Sequence, residues 1–120
     1  MSNIAIDPKE FAAAEQEAAE STSTVTVTLS RPVTYENDTY TELSFDFDKL
    51  TGEDSLSIEN ELQAQGKFVV APTFSGEYLV RMAARACTAK IGQDLIRALP
   101  ISDYNRIRSA ARSFLLRSES

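Results

Sequence analysis

The chain has 120 residues, 42% of them hydrophobic and 25% charged, with one cysteine and no histidine. That length suits one domain with one core, and the lack of histidine excludes Ser-His and Cys-His dyads together with the commonest metal ligand. Charge is divided along the chain: residues 1–66 carry three basic and fourteen acidic side chains, a net of −11, and residues 67–120 carry nine basic and four acidic, a net of +5. Such halves can attract each other within the fold, order neighbouring copies head to tail as a homo-oligomer, or simply make an uneven solvated surface. No apolar run approaches the ~20 residues of a membrane helix, and no stretch resembles a signal peptide. A single cysteine, unable to form an internal disulfide, suits a reducing cytosol.

Residues 1–23 read as a flexible acidic arm. Asp7-Pro8 can start a helix, and residues 11–20 are rich in alanine and glutamate, which favour helix. A helix this short and this poor in large apolar groups is marginal without a partner. The rest, residues 24–117, reads as a single α+β domain. Thr24-Val25-Thr26-Val27-Thr28-Leu29 alternates strictly, as does the stretch from Tyr40 to Phe47, which sets Leu43, Phe45 and Phe47 on one face. Between them Glu36-Asn37-Asp38 supplies turn residues, so the two stretches predict an antiparallel hairpin. Pro32 predicts a kink or bulge at an edge of the first strand. A two-stranded hairpin is not stable alone, so its apolar face must pack on helices.

Helical spacing begins after Lys49. Thr51-Gly52-Glu53-Asp54 reads as a cap followed by acids in the first turn. Leu56, Ile58 and Leu62 are expected on the core side, and Gly66 as the stop. Residues 67–73, with their apolar middle Phe68-Val69-Val70, read as a linker that packs down. Ser75 is expected to cap the next helix and Phe74 to staple against Leu79. Leu79, Met82, Ala83 and Ala86 then form one stripe. After Gly92 comes a short helix, residues 93–99, ended by Pro100. In the last helix Ser102 is the expected cap, with Asp103 in the first turn and Tyr104, Ile107, Ala111, Phe114 and Leu115 on the buried face. The expected architecture is α+β, an N-terminal antiparallel β-hairpin packed against a C-terminal bundle of three to four helices.

Groups for catalysis are scarce. One cysteine cannot build a structural zinc site, and Cys87 beside an alanine-rich stripe reads as packing. The four glycines draw no phosphate-cradling loop. Asp46, Asp48 and Asp54 lack the spacing of a calcium loop. The chain therefore reads as a binding module without catalytic, cofactor-binding or metal-binding residues. Arg106, Arg108, Arg112 and Arg117 form a local basic group. The acidic remainder of the chain would repel phosphate, so this group reads as a protein-binding face in preference to a nucleic-acid site. On that reading, glutamate at Arg106, Arg108 and Arg112 should weaken binding and leave the melting temperature nearly unchanged.

Several segments, taken in order, resemble the tail assembly chaperones of prophages and of Mu- and P2-like tailed phages. They are Val27-Thr28-Leu29-Ser30-Arg31-Pro32-Val33-Thr34-Tyr35, Tyr40-Thr41-Glu42-Leu43-Ser44-Phe45-Asp46-Phe47, and Leu50-Thr51-Gly52-Glu53-Asp54. Ser75-Gly76-Glu77-Tyr78 with Ala83-Ala84-Arg85-Ala86 follows, then Asp94-Leu95-Ile96-Arg97-Ala98-Leu99 and Asp103-Tyr104-Asn105-Arg106-Ile107, ending in Phe114-Leu115. The resemblance spans residues 25–116 and rests on joint order, since each segment alone is also a hairpin or capping pattern. It implies a non-enzymatic protein of the host cytoplasm, absent from the mature virion. Its implied partner is the long helical tape measure protein, which it keeps soluble while tail tube subunits are recruited. Two other classes stay open: a structural tail completion or joining protein, and a small regulatory adaptor that pairs with one enzyme.

Overall fold

The computed structural model describes residues 24–118, and the acidic arm expected at residues 1–23 lies outside the described residues. In chain order the elements are β1 (Thr24–Tyr35), β2 (Asp38–Asp46), a 3-10 turn (Phe47–Lys49), α1 (Gly52–Ala64), a second 3-10 turn (Pro72–Phe74), α2 (Gly76–Ala86), α3 (Gln93–Arg97) and α4 (Ile101–Ser118). The fold is α+β, an N-terminal hairpin followed by four helices, as the switch in periodicity predicts.

β1 and β2 pair antiparallel, with Val27 opposite Leu43 and Val25 opposite Phe45. Glu36 and Asn37 make the turn with φ of 50° and 74°. Two successive left-handed residues give a turn whose twist matches that of the strands. Beyond Thr28↔Glu42 the next pair is Val33↔Tyr40, so residues 29–32 face Thr41 alone. Pro32, which has no N–H for a ladder, sits in this bulge as expected. Val27, Leu29, Leu43, Phe45 and Phe47 are buried. On the other face Thr26 and Ser44 hydroxyls meet at 2.8 Å and those of Thr34 and Thr39 at 3.1 Å.

The hairpin is closed by the helices. α4 packs on β1 and α2 on β2. The Phe47 ring stacks on Phe114 with centroids 5.3 Å apart. Cys87, just past α2, bridges to Phe45, and the Thr88 N–H donates to the Ser44 carbonyl at 2.9 Å. Cys87 is thus a packed backbone neighbour of β2, and burial pushes its thiol pKa up. Fully burying each of Phe45, Phe47, Leu43, Leu79 and Ile107 stabilises the fold by about 1.5–3 kcal/mol.

In α1 the Asp54 carboxylate accepts the Thr51 N–H at 2.8 Å, which answers one of the helix's orphan donors. At the other end Gly66, with φ of 71°, lets Lys67 N–H reach the Leu62 carbonyl at 2.8 Å and Gly66 N–H the Gln63 carbonyl at 3.0 Å. That double closure is a Schellman motif. Ile58 and Leu62 are buried, but Leu56 is 55% exposed, against expectation. Two residues from Ile58, it is turned about 200° away around the helix.

Ser75 caps α2, its hydroxyl accepting the Tyr78 N–H at 3.1 Å. Leu79, Met82, Ala83 and Ala86 are all buried, as expected. Gly76 marks a close approach to α4: a β-carbon there would lie 3.0 Å from the Tyr104 hydroxyl. In α4 the expectation fails at the start. The helix already includes Ile101 and Ser102, and the Pro100 carbonyl takes the Tyr104 N–H at 3.0 Å, so Ser102 is not the cap. Asp103, expected as a simple first-turn acid, is fully buried. It accepts the Ser30 N–H at 3.1 Å, the Ser30 hydroxyl at 2.9 Å and a donor of Arg106. The bulge around Pro32 is what frees Ser30 from the ladder to make this link.

Candidate docking surface

The stretch between α1 and α2 is shaped by its two ends. Gly66 and Lys67 are tied to α1, while Pro72 disfavours helix in the residue before it, and Ala71 is extended at φ −138° and ψ 110°. Too few residues remain between these anchors to fold back. The chain bends at Val70, and its side chains alternate between core and solvent. Val69 turns inward against the core, and Phe68 and Val70 turn outward, 97% and 98% exposed. The expected inward packing of this linker is therefore met by Val69 only. Among the described residues, the N–H groups of Phe68, Val69 and Val70 meet no hydrogen-bond acceptor.

Phe74 also departs from expectation. It does not staple against Leu79, which is fully buried, and is itself 72% exposed. The extended Ser75 cap, φ −99° and ψ 112°, sends it outward. There the Arg112 guanidinium lies 5.9 Å from its ring centroid, a cation–π contact, while Arg112 Nε donates to the Thr73 carbonyl at 3.0 Å. A groove of about 420 Å³ runs beside the stretch, lined by Glu59, Leu62, Lys67, Phe68 and Val70 among others. Elsewhere among the described residues, large exposed apolar side chains stand apart: Leu56 on α1, and Ile101 and Leu116 at opposite ends of α4. Single ones are ordinary on a protein surface, whereas a group is not.

Behind the stretch the two charged halves of the chain meet. Arg85 of α2 holds Asp54 and Glu61 of α1, each at 3.0 Å. Arg81 is buried and donates to Glu77 and Gln65, while its Nε lies 3.5 Å from a Glu61 carboxylate oxygen without a hydrogen bond. Glu77 gathers Arg97, Arg81 and Lys67, the last at 3.3 Å. Arg97, then Arg81 and Lys67, pull the Glu77 carboxyl down to about 2. For Asp103 burial acts to raise the pKa, and the Ser30 and Arg106 donors outweigh it and hold the carboxyl below the ordinary range.

The four arginines expected to share one face do not. At about 100° per residue, Arg106 and Arg117 lie on one flank of α4 and Arg108 and Arg112 on the other, with buried Ile107 and Ala111 between. Arg106 is committed to Asp103, and Arg112 to Thr73 and Phe74. Arg108 has a buried Nε without a hydrogen-bond partner. Substituting Arg106 or Arg112 would therefore remove links within the fold as well as surface charge. Arg112 alone of the four is shown beside the exposed apolar stretch. Sequence reasoning missed Phe68, Val70 and Phe74 as surface residues, though an apolar run clamped between Gly66 and Pro72 was the available signal. Among the described residues no group of three or more His, Cys, Asp or Glu is placed to hold a metal ion, and no helix is long and apolar enough to cross a membrane. Comparison of the chain with known protein families, curated proteins and solved structures finds no match.

Proposed function

We propose that the protein is a tail assembly chaperone of a tailed phage, a non-catalytic binder of the tape measure protein that acts in the host cytoplasm and is absent from the finished virion. The resemblance over residues 25–116 supports this reading. The observation that carries it is three large apolar side chains within seven residues of chain, Phe68, Val70 and Phe74, held out from the fold at 97%, 98% and 72% exposure. Solvating a group of large apolar side chains is unfavourable unless a partner covers it. A chaperone for a long helical client needs such a surface, and needs it to bind without chemistry. Tail tube subunits are the expected second partner, recruited around the client.

Co-expression with the tape measure protein of the same genome tests the proposal. The client should become more soluble and co-purify with the chain, while purified virions should lack it. A chain that forms no complex with that protein at any salt concentration would sink the proposal. A chain that forms rings and remains in virions would be a structural joining protein instead.

A further inference from the structure

We infer that residues 68–74 form the client-contact edge, and that the segment they take is an α-helix whose apolar stripe is flanked by acidic side chains. This rests on the chaperone reading and adds to it the surface and the chemistry of the bound segment. Spacing is the first argument. Phe68 and Val70 both stand outward with Val69 turned to the core between them, and two residues of chain hold them within about 7 Å of each other. Neighbouring apolar residues on a helix, three or four positions apart, are separated by about 5–6 Å. The two side chains can therefore straddle one apolar residue of a helix, which enters the groove floored by Leu62.

Charge is the second argument. Arg112 uses Nε on the Thr73 carbonyl, and among the described residues its two terminal nitrogens have no hydrogen-bond partner. They stand over Phe74 at the end of the exposed stretch. A guanidinium with free donors beside an apolar surface suits a carboxylate that flanks an apolar stripe. Glu59 and Lys67 line the groove with one charge of each sign, so the preference for acid comes from Arg112.

Two other occupants fit less well. A second copy would need about 800 Å² of contact from each partner. Two exposed phenylalanines at about 150–250 Å² each, with one valine, fall short of that. An added strand could use the unpaired N–H groups of Phe68, Val69 and Val70, but Pro72 and the Lys67 closure cut that edge to a few residues. The small area also makes the contact weak, as suits a client that must be handed on.

The test uses the full chain and two synthetic helical peptides of about three heptads. Both carry leucine at the a and d positions, one with glutamate flanks and one with lysine flanks, and binding is read by fluorescence anisotropy. The glutamate peptide should bind more tightly. The double substitution Phe68→Ser with Val70→Ser should weaken it by roughly tenfold or more, with the melting temperature unchanged because both side chains lie outside the core. Leu116→Ser, an exposed apolar change elsewhere, should leave binding unchanged. If wild-type chain holds the tape measure protein and the double variant holds it equally, the surface is wrong and the chaperone reading stands. If the double variant loses the peptide but the wild type never binds the tape measure protein, the surface stands and the chaperone reading falls. Equal or stronger binding of the lysine peptide overturns the acidic flank. Stronger binding of a proline-broken, extended version overturns the helix. A double variant changed only in its own sedimentation would mark a contact between copies and overturn the inference.

Discussion

At the scale of single residues, Asp103 does more than its position suggests. An acid in the first turn of a helix is adequately explained by the helix dipole, so nothing local marks it as a link. Its partner Ser30 lies 73 positions earlier in the chain, inside a bulge. Pairings of that separation have no periodicity to betray them, and this one depends on a backbone N–H that Pro32 keeps out of the ladder. The same reasoning covers Phe68 and Val70. Their apolar character was plain, but which side of this short link faces the core is decided by its anchors at Gly66 and Pro72 together. Ser30→Ala should cost about 1 kcal/mol in chemical unfolding, the usual worth of one hydroxyl hydrogen bond. Asp103→Asn should cost clearly more, because the amide cannot accept from Ser30 and Arg106 at every point where the carboxylate does. Equal unfolding midpoints for Asp103→Asn and wild type would mean that the link is dispensable.

At the scale of elements, the sequence was a good guide wherever neighbours in the chain decide the outcome. Alternation from Thr24 and from Tyr40 located both strands, and three- and four-residue spacing located α2 and the buried face of α4. Gly66 and Ser75 acted as stop and cap as their chemistry requires. Two things were not legible: the sorting of α4's arginines onto opposite flanks, and the commitment of Arg106 and Arg112 to the fold. Both follow from how α4 lies against β1 and against the Pro72–Phe74 turn. The hairpin turn offers a direct check of local control. Glu36 adopts φ of 50°, a left-handed conformation that costs an ordinary L-residue roughly 1–2 kcal/mol and that asparagine tolerates better. Glu36→Asn should therefore stabilise the protein by about 0.5 kcal/mol or more, seen as a higher urea midpoint with unchanged slope. Asp38→Asn, one step beyond the left-handed pair, should not.

At the scale of the whole molecule, the acidic first half and basic second half attract each other within the fold. Arg85 joins Asp54 and Glu61 and Arg81 stands 3.5 Å from Glu61, while within the second half Lys67, Arg81 and Arg97 converge on Glu77. The exposed apolar stretch thus starts from a charged knot, with Lys67 as its first residue. This arrangement has a pH signature. Glu77 titrates near 2 in the folded chain against an ordinary 4.5, drawn down first by Arg97 and then by Arg81 and Lys67. A depressed carboxylate contributes stability that is fully present above its ordinary pKa and lost as pH falls through the folded value. Glu77 should therefore help to hold the fold above pH 4.5 and cease to do so as pH drops toward 2. Asp54 and Asp103 are shifted the same way and add to the acid limb. Glu77→Gln keeps an acceptor for the arginines but has no proton to gain. Its unfolding free energy should start lower at pH 7 and fall less steeply than that of wild type between pH 4.5 and 2. Because Glu77 is partly exposed, the gap at pH 7 should narrow in high salt, as exposed ion pairs are screened. Parallel curves for the two proteins across that pH range would mean that the knot is solvated surface and contributes nothing to holding α1, α2 and α3 together.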